Sequence, residues 1–379
     1  MNWIAVFVAG FLGLRILVAL VNLVSRPWLP VGEALSAEDI ALRGDGLAQE
    51  ATLVSVLIPA RNEEQNIGRV LQDLLEHDYR HLEILVYDDL SEDLTAEVVR
   101  RFAAKDRRVR LLPGKLLLPG WLGKNHACDR LAREARGDYL LFLDADVRVR
   151  PGLIGRSLSH VKKHELALLS IFPRQIMKTF AEKMTVPLMN WVLVSLLPLI
   201  LTRVSSWPSF AAANGQFVLF DAAVYHRYRF HEMVKRHQVE DIVIFRKMKR
   251  LGLKVQTLLS DGSVSCRMYT SFGEAVQGFS KNVFEFFGGS VVAGMLFALV
   301  TTFGLAPVWA AWGASGLIGY LLAAAALRGL VAAASRQPAW LHVLLAPLQQ
   351  MAFVVVIYIA VFNRLFGKTR WKGRDLKPA

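Results

Sequence analysis

Long apolar segments near the two ends of the chain constrain its fold more than any other feature of the sequence. The chain is apolar from Trp3 to Val24 except at Arg15 and Asn22, and this segment is long enough to cross a hydrocarbon core of about 30 Å. No basic residues precede it and no small-residue cleavage site follows it, so we expect residues 1–26 to form a retained membrane anchor.

Three more segments of spanning length occur in residues 285–362, which we predict to form about three C-terminal membrane helices. They are Phe286–Ala306, Val308–Leu327 and Leu341–Phe362.

One further uncharged segment lies in the middle of the chain. No charged residue occurs from Thr185 to Thr202, but Pro187 and Pro198 weaken a continuous helix. A full crossing here would separate motifs that we expect on one side of the membrane. We therefore predict that residues 185–202 lie along the membrane interface.

The charge balance is strongly basic. The chain has 45 Lys and Arg against 32 Asp and Glu, a net charge of +13, which suits nucleic acid, an anionic membrane surface or a phosphate-rich substrate. Residues 363–379 form a basic tail, and basic segments prefer the cytoplasmic side. Three full crossings after a cytoplasmic domain would place the tail outside. We therefore expect one of the three C-terminal segments to be re-entrant or interfacial.

Between the membrane segments, predicted strands alternate with predicted helices. Apolar runs rich in β-branched residues indicate buried strands, and apolar residues three and four apart indicate helices. The predicted strands are Leu53–Ala60, Leu82–Tyr87, Val109–Leu112 and Tyr139–Leu143, and the predicted helices are Asn66–Glu76, Thr95–Ala103 and Ala127–Ala135. The alternation predicts right-handed crossovers and a Rossmann-like, mainly parallel α/β sheet in a domain spanning residues 50–282.

Acidic motifs follow three of these strands. PARNEE (59–64) follows the first, Asp88 and Asp89 follow the second, and Asp144 and Asp146 follow the last. Ligands of parallel sheets bind beyond the carboxyl ends of the strands, so we expect these carboxylates to surround one cleft. Their mutual repulsion predicts a cationic or donor-rich ligand there. Helix caps and turns are the alternative role for each acidic pair.

Asp144 and Asp146 are candidate metal ligands. Two carboxylates two residues apart at a strand end can reach one ion, and hard oxygen ligands suit Mg²⁺ or Mn²⁺. Such an ion keeps positions for water and substrate phosphates, so a bound diphosphate would complete the site. Lys124 follows a Pro-Gly turn and would add a cation beside those phosphates, although an ordinary surface lysine is the alternative.

These motifs, in this order, resemble those of the family 2 glycosyltransferases, which have the GT-A fold. The resemblance covers roughly residues 54–259 and rests on VSVLIPARNEEQNI, EILVYDDLSED, LGKNHACDRLAREARGDYLLFLDADV and VEDIVIFRKMKRLG. The membrane segments before and after this region are similar to those of the branch that glycosylates lipids such as carotenoids, hopanoids and ceramides. The resemblance implies sugar transfer from a nucleotide sugar, a UDP-sugar, to a membrane lipid. It also implies a multi-pass protein of the cell membrane whose catalytic domain faces the cytoplasm.

The resemblance further implies roles for individual residues. Asp241 would be the catalytic base of an inverting reaction, and Asp144 and Asp146 would hold the metal. The implied donor-binding residues are Pro59, Arg61, Glu63, Asp88, Asp89, Lys124 and Asp144. The implied acceptor-side residues are Asn214, Gly215, Gln216 and Glu240. Glu240 and Asp241 are adjacent on a predicted helix, where side chains point about 100° apart, so we expect only Asp241 to face the cleft.

Other functions remain open at this point. Many polysaccharide synthases of this kind carry QxxRW, where this chain has QGFSKN at 277–282, and four apolar segments are few for a channel. A nucleotidyltransferase of related fold would have a Gly-rich loop in place of PARNEE. A non-catalytic basic membrane scaffold or a nucleic-acid-binding protein would not need all four acidic motifs. The basic residues also lack aromatic interleaving, so we expect no nucleic-acid partner.

Overall fold

The computed structural model describes residues 2–30 and 52–366, and the backbone of residues 370–371 and 374–375. The chain divides into two compact units. The sheet unit comprises Trp28–Arg174 and Thr202–Cys266, and the helical unit comprises the chain up to Pro27, Gln175–Leu201 and the chain from Arg267 onward. The predicted boundary at residue 50 and most of the predicted tail 363–379 lie outside the described residues.

The secondary structure follows the alternation that the sequence predicts. In chain order, strands β1 to β12 are Val54–Ala60, Leu82–Asp88, Val109–Pro113, Tyr139–Leu143, Val147–Val149, Leu168–Phe172, Arg174–Gln175, Phe217–Asp221, Val255–Leu259, Val264–Cys266, Arg370–Trp371 and Arg374–Asp375. Helices α1 to α16 are Asn2–Val24, Ile67–Leu75, Thr95–Ala103, Gly123–Glu134, Leu153–His164, Phe180–Thr185, Pro187–Leu196, Leu201–Val204, Ala222–Tyr228, Phe230–Met233, Glu240–Arg250, Phe272–Asn282, Val291–Phe303, Leu305–Ala334, Ala339–Leu344 and Ala346–Phe366. Short 3₁₀ helices occupy Pro208–Phe210 and Val283–Phe287.

Seven strands form the main sheet in the spatial order β3-β2-β1-β4-β8-β6-β9. β1 pairs in parallel with β2 and β4, β2 with β3, and β6 with β9. β8 runs antiparallel between β4 and β6. The predicted mainly parallel sheet is therefore confirmed, and the predicted strand ends agree to within one residue. Helix α4 begins four residues before the predicted Ala127, which places Lys124 in its first turn.

Apolar layers cover both faces of this sheet. Val54, Val56 and Ile58 of β1 pack in one buried core with α2 and α5, and Leu57 packs on the opposite face with α4 and α11. A strand buried on both faces is apolar at consecutive positions instead of alternating ones, which explains the run LVSVLIPA. Each such fully buried aliphatic side chain stabilises the fold by about 1.5–3 kcal/mol relative to exposure.

Among the described residues, the helical unit contains three helices that are long and apolar enough to cross a membrane. They are Asn2–Val24, Val291–Ala334 and Ala346–Phe366. The predicted anchor thus corresponds to α1, the first two predicted C-terminal segments to Val291–Ala334, and the third to α15 and α16. The predicted apolar helices at the two ends of the chain are confirmed.

The helix Val291–Ala334 folds back on itself at Gly313. Gly304 between α13 and α14 keeps helical dihedral angles, whereas Gly313 has φ 65° and ψ −157°, a conformation that only glycine adopts readily. A Cβ on Gly304 would lie 3.1 Å from the hydroxyl oxygen of Tyr320, so residues before and after Gly313 pack side by side. Each of these antiparallel arms, 291–312 and 314–334, has roughly twenty residues and a length of about 30 Å.

Residues 185–202 run from the end of α6 through the buried helix α7 to the start of α8, and residues 185–201 belong to the helical unit. Pro187 occupies the first turn of α7 and Pro198 follows its end, so both prolines interrupt the helix as the sequence predicts. α7 has 10 residues, about 15 Å of length, which is too short to cross a membrane. Every residue from Pro187 to Ser195 is buried, and the Trp191 ring packs against Phe297 and Phe353. The interfacial position of this segment stays a prediction.

Two polar residues of α1 attach this helix to the α7 segment. The Asn22 side chain donates to the carbonyls of Val194 and Leu197, both at 2.8 Å, and accepts from the Leu199 N–H at 2.6 Å. Arg15 donates to Ser195 Oγ at 2.7 Å, and its guanidinium carbon lies 4.5 Å from the centre of the Trp191 ring. The two polar interruptions of the predicted anchor are thus packing contacts inside the helical unit.

Replacing Asn22 by Leu should destabilise the protein strongly. The substitution keeps the approximate volume but leaves two carbonyls and one N–H buried without partners, at a cost of about 3 kcal/mol in total. We expect a lowered midpoint of thermal unfolding for the detergent-purified protein, and an unchanged midpoint for the exposed control Asn282→Leu. Equal midpoints for Asn22→Leu and the wild type would contradict this role of Asn22.

Candidate active site

The carboxyl edge of the main sheet gathers the polar motifs. Parallel pairing aligns Ala60 with Asp88 at the ends of β1 and β2, and Asp144 follows β4 at the same edge. Because β8 is antiparallel to β4, the residues that precede β8 also lie at this edge: Leu143 pairs with Phe217. The antiparallel strand therefore adds a segment that ends in Gln216 to a site built mainly by parallel strands.

A small cavity opens at this edge. It is lined by Pro59, Lys124, Cys128, Phe142, Asp144, Leu168, Gly215, Val218, Phe220, His231, Glu240, Asp241 and Ile244. Six of these were predicted as site residues: Pro59, Lys124, Asp144, Gly215, Glu240 and Asp241. The structure therefore brings the proposed base, one proposed metal ligand and the proposed phosphate-binding lysine into one cavity.

Lys124 is the cation of this cavity. Its Nζ lies 2.9 Å from Asp144 Oδ1 and 3.2 Å from Glu240 Oε1. Burial opposes the charged ammonium, but the attraction of Asp144 and Glu240 outweighs it and raises the pKa of Lys124 well above its ordinary value. The side chain is therefore charged at neutral pH and links two elements, β4 and α11.

Asp241 is held by backbone donors at the start of α11. The N–H of Gly215 donates to its Oδ2 at 2.7 Å, and its own Oδ1 accepts from the Ile242 N–H at 2.8 Å. Burial raises the pKa of Asp241 to about 7, the Glu240 carboxylate adds to the rise, and Lys124 opposes it. The carboxylate is thus fixed in orientation and can take up a proton near neutral pH.

The prediction that only one of the two adjacent acids faces the cleft is wrong. Glu240 and Asp241 both line the cavity. Glu240 is the first residue of α11, and its longer side chain reaches Lys124 from there, so the 100° offset between neighbouring helical positions does not exclude it. The two methylene groups of the Glu240 side chain are long enough to bring its carboxylate into the cavity.

Asp146 lies beside the cavity with one oxygen unpaired. Its Oδ2 accepts from the Cys266 thiol at 3.3 Å, and among the described residues its buried Oδ1 has no hydrogen-bond partner. Burial raises the pKa of Asp146 to about 7, and the Asp144 carboxylate adds to the rise. A carboxylate pair of this kind suits a divalent cation, although the described residues contain no cluster of three or more His, Cys, Asp or Glu that could hold a metal.

The remaining predicted donor residues lie outside the cavity lining. Arg61 donates to the carbonyl of Asp89 at 2.7 Å, which ties the loop after β1 to the loop after β2. The Glu63 N–H donates to Thr95 Oγ1 at 2.7 Å, and Asp88 Oδ1 accepts from a backbone N–H in the turn after β2 at 3.3 Å. These residues hold two neighbouring loops at the carboxyl edge of the sheet together.

The predicted acceptor-side residues Asn214 and Gln216 are buried in the turn before β8. The Asn214 N–H donates to Ser170 Oγ at 2.9 Å, and the Gln216 N–H donates to Asn214 Oδ1 at the same distance. Gly215 between them faces the cavity, where an added Cβ would lie 2.9 Å from Lys124 Nζ and 3.6 Å from Asp241 Oδ2. At Gly215 the turn therefore brings backbone atoms, and no side chain, next to Lys124 and Asp241.

Besides five apolar lining residues, three residues with titratable side chains near the site were absent from the sequence prediction. His231 and Cys128 line the cavity, and Cys266 contacts Asp146. His231 Nδ1 lies 2.8 Å from the Tyr225 hydroxyl, and burial together with the Lys124 charge lowers the pKa of His231 to about 3. His231 is therefore a neutral wall of the cavity. The sequence signal for these residues was weak, because each approaches the site through long-range packing.

A match to a family model is consistent with this geometry. Residues 55–229 match the model of glycosyl transferase family 2. Two relatives are named 4,4'-diaponeurosporenoate glycosyltransferase: that of Staphylococcus haemolyticus (strain JCSC1435) is 28% identical over 239 residues, 61% of this chain and 60% of the relative. That of Staphylococcus aureus (strain USA300) is 27% identical over 248 residues, 62% of each chain. The chain spans about three fifths of the length of these relatives.

The fold is also similar to that of a solved structure. A mannosyltransferase from Pyrobaculum calidifontis in complex with GDP-Man and Mn²⁺ superposes with a TM-score of 0.58 and 17% sequence identity. The superposition covers 96% of this chain and 99% of the mannosyltransferase chain. The likeness thus extends over helices and sheet together.

Neutralising Asp241 should change the pH dependence of stability. An acid whose pKa is raised from 3.8 to about 7 on folding destabilises the folded state increasingly as pH rises from about 4 to 7. The stability of Asp241→Asn relative to the wild type should therefore increase by about 2–3 kcal/mol between pH 5 and pH 8. Thermal unfolding at several pH values measures this trend. The exposed control Glu134→Gln should show no trend, and a flat difference for Asp241→Asn would contradict the raised pKa.

Proposed function

Because residues 55–229 match the model of glycosyl transferase family 2, we propose that the chain is a family 2 glycosyltransferase with the GT-A fold that transfers a sugar from a nucleotide sugar to a membrane lipid. The observation that carries this proposal is a single cavity in which Asp241, a carboxylate with a pKa of about 7, lies beside Lys124 and Asp144. A candidate base and a cation for phosphates thus share one space. The donor that we propose is a UDP-sugar.

The donor side of the site uses the loops at the carboxyl edge of the sheet. Glu63, Asp88 and Asp89 lie on the two loops tied by Arg61, where they would bind the nucleoside. Lys124 is charged and can move from its present carboxylate partners toward the diphosphate, which carries more negative charge than either of them. Pro59 contributes an apolar wall to the cavity.

Asp144 and Asp146 would hold Mg²⁺ or Mn²⁺. The unpaired buried Oδ1 of Asp146 supports this assignment, and two carboxylates suffice because substrate phosphates and water complete the coordination of such ions. When bound, the ion neutralises the negative charge that develops on the departing diphosphate. The need for phosphate ligands agrees with the lack of a larger acidic cluster among the described residues.

Asp241 would be the general base. A carboxylate oxygen takes the proton of the acceptor hydroxyl while the hydroxyl oxygen forms a bond to the anomeric carbon. The bond from that carbon to the diphosphate breaks in the same displacement, with its electron pair leaving on the phosphate oxygen. A single displacement inverts the anomeric configuration. The Gly215 and Ile242 N–H groups keep the carboxylate oriented during this step.

The lipid nature of the acceptor rests on two observations. The described part of the chain carries three helices of membrane-spanning length and composition. The similar staphylococcal proteins are named for glycosyl transfer to 4,4'-diaponeurosporenoate. We place the sheet unit in the cytoplasm, where nucleotide sugars are made, and Glu240, Asn214, Gly215 and Gln216 on the acceptor side of the cavity.

Asp241→Asn should abolish transfer and leave the donor site intact. The amide keeps the shape of the carboxylate but cannot accept the proton, so turnover should fall by about 10²-fold or more. We expect cells that overproduce the wild type to accumulate a lipid that has gained a hexose mass, detected by mass spectrometry of extracts. Cells that overproduce the variant should not.

The control is binding of a nucleoside diphosphate with Mn²⁺, which Asp241→Asn should retain and Asp146→Asn should lose. Near-normal transfer by Asp241→Asn would exclude it as the base. A product with the anomeric configuration of the donor would exclude a single displacement.

We also propose which C-terminal segment fails to cross the membrane. α16 lies antiparallel to α13, since Gln350 donates to Thr302 Oγ1 at 2.8 Å and Arg364 donates to the Gly289 carbonyl at 3.2 Å. The loop that precedes α15 contacts Gln175, the residue at which the chain enters the helical unit. The Gln337 side chain in this loop donates to the Gln175 carbonyl at 2.9 Å. The two ends of the α15–α16 segment thus lie beside Gln175 and beside Gly289, which precedes α13.

This geometry favours a re-entrant α15–α16 segment. α1 and the two arms around Gly313 would then be the complete crossings, and the basic tail would return to the cytoplasmic side, as the charge distribution favours. A reporter that is active only in the cytoplasm should be active when it is fused after Ala379. A reporter that is active only outside the membrane should be inactive at the same position. A matched fusion at Gly313 should give the opposite pattern. An active external reporter at Ala379 would mean that α16 crosses completely.

A further inference from the structure

The loop between β3 and α4 carries an exposed apolar turn, residues 115–121, and we propose that this leucine turn docks on a membrane surface that contains anionic lipid. Among the described residues of the sheet unit, Leu116 is the most exposed large apolar side chain, at 86%, and Leu118 is 54% exposed. Met233, at the end of helix α10 that packs against α4, is 43% exposed. Apolar side chains gathered at a loop tip add nothing to the core, so they indicate a contact with lipid or with another protein.

The backbone gives the leucine turn a defined shape. The Trp121 N–H donates to the Leu118 carbonyl at 3.2 Å, with Pro119 and Gly120 between them. Gly120 has φ 79°, so proline and glycine occupy the positions that they favour in a type II β-turn. The local sequence therefore fixes the tip on which the exposed leucines lie.

Basic side chains surround the leucine turn. Lys115 is exposed within it, and the turn itself contains no acidic residue. Lys235 Nζ lies 5.8 Å from the centre of the Trp121 ring, and a Cβ on Gly120 would lie 3.1 Å from Arg236 Nη2. Apolar side chains that are ringed by cations suit an anionic lipid surface, where the headgroups meet the cations and the apolar groups enter the acyl boundary.

The charge of the surroundings favours a membrane as the partner. Glu232, the acid next to Met233 in the chain, is paired with Arg229 at 2.8 Å and therefore adds little repulsion toward anionic headgroups. The described part of the chain also contains three helices of membrane-spanning length, which would keep the sheet unit tethered to a bilayer. A tethered surface needs only a weak affinity to stay docked, because its effective concentration at the bilayer is high.

The leucine turn is connected to the charged elements of the catalytic cavity. Directly after the turn, the Leu122 N–H donates to the Lys235 carbonyl at 2.8 Å, and the Asn125 side chain donates to the His237 carbonyl at 2.9 Å. Lys124 lies between these two donors in the chain, and α11 begins three residues after His237. Docking would therefore bring the segments that carry the cavity's cation and its candidate base close to the bilayer, whatever reaction occurs there.

The test places a fluorescent label on the leucine turn of the full-length protein in nanodiscs. Cys128 and Cys266 are buried, so a thiol-reactive nitrobenzoxadiazole label should react at an introduced cysteine. In discs with about one third phosphatidylglycerol, the label at Leu116→Cys should be quenched by about twofold or more by lipids that carry a nitroxide on the acyl chain. The matched control Ala104→Cys is exposed and precedes β3, at the opposite end of that strand, and its label should stay unquenched.

Two changes should weaken the contact. Leu118→Ser in the labelled protein removes apolar surface, and discs of phosphatidylcholine alone remove the anionic charge. Each change should reduce the quenching by about half or more. Quenching that neither change alters would overturn the assignment. A label that shifts to the blue without being quenched would be covered by protein, such as a second copy of this chain, and would also overturn it.

The docking surface and the proposed function can fail separately. Quenching at Leu116→Cys without any sugar transfer would support the docking surface and contradict the proposed reaction. Lipid glycosylation by a protein whose labels at Leu116→Cys and Ala104→Cys give equal signals would support the reaction and refute the docking surface. Binding of a nucleoside diphosphate with Mn²⁺ should be equal in Leu118→Ser and the wild type, and its loss in Leu118→Ser would mean that the turn serves the donor site instead of the membrane.

Discussion

One lysine charge makes the acidic cavity of the sheet unit compatible with a folded state. Asp144, Glu240 and Asp241 approach one another from β4 and α11, and carboxylates brought together without a cation would repel one another in a medium of low polarity. Lys124 contacts two of the three directly and lowers the pKa of the third. Burial remains the main reason for the raised pKa of Asp241, the neighbouring Glu240 carboxylate adds to it, and the single charge of Lys124 offsets only part of the rise.

Much of this site can be predicted from the sequence, because its main constraint is local. The strands end within one residue of their predicted bounds, and a parallel sheet forces PARNEE, Asp88 and Asp144 to one edge. The prediction that Glu240 would not face the cleft was wrong, because the angle between adjacent helical positions does not determine how far a longer side chain reaches. Cys266 escaped prediction because it reaches Asp146 through antiparallel pairing of β10 with β5, and such non-local pairing leaves no periodic signal in one sequence.

The helical unit shows the same division between local and non-local information. Hydropathy identifies α1 and α16, but it separates the first two C-terminal segments at residue 307, whereas the chain reverses direction at Gly313 through the backbone conformation of that residue. The uncharged segment 185–202 scores as a span by composition, yet its helix has ten residues and is enclosed by other helices of the unit. An apolar sequence therefore indicates only that a segment is buried. Whether lipid or protein surrounds the segment depends on the length of its uninterrupted helix.

The contacts of Arg15 set an order for the assembly of the helical unit. Its guanidinium is buried at 3% exposure against the ring of Trp191 and the hydroxyl of Ser195. α1 leaves the ribosome when neither of these partners has been synthesised, and a lone arginine in the middle of an apolar helix is costly in hydrocarbon. The first helix consequently reaches its final environment only after about 180 further residues have been translated. Arg15 therefore lacks the partners that it has in the folded protein until that part of the chain has been synthesised.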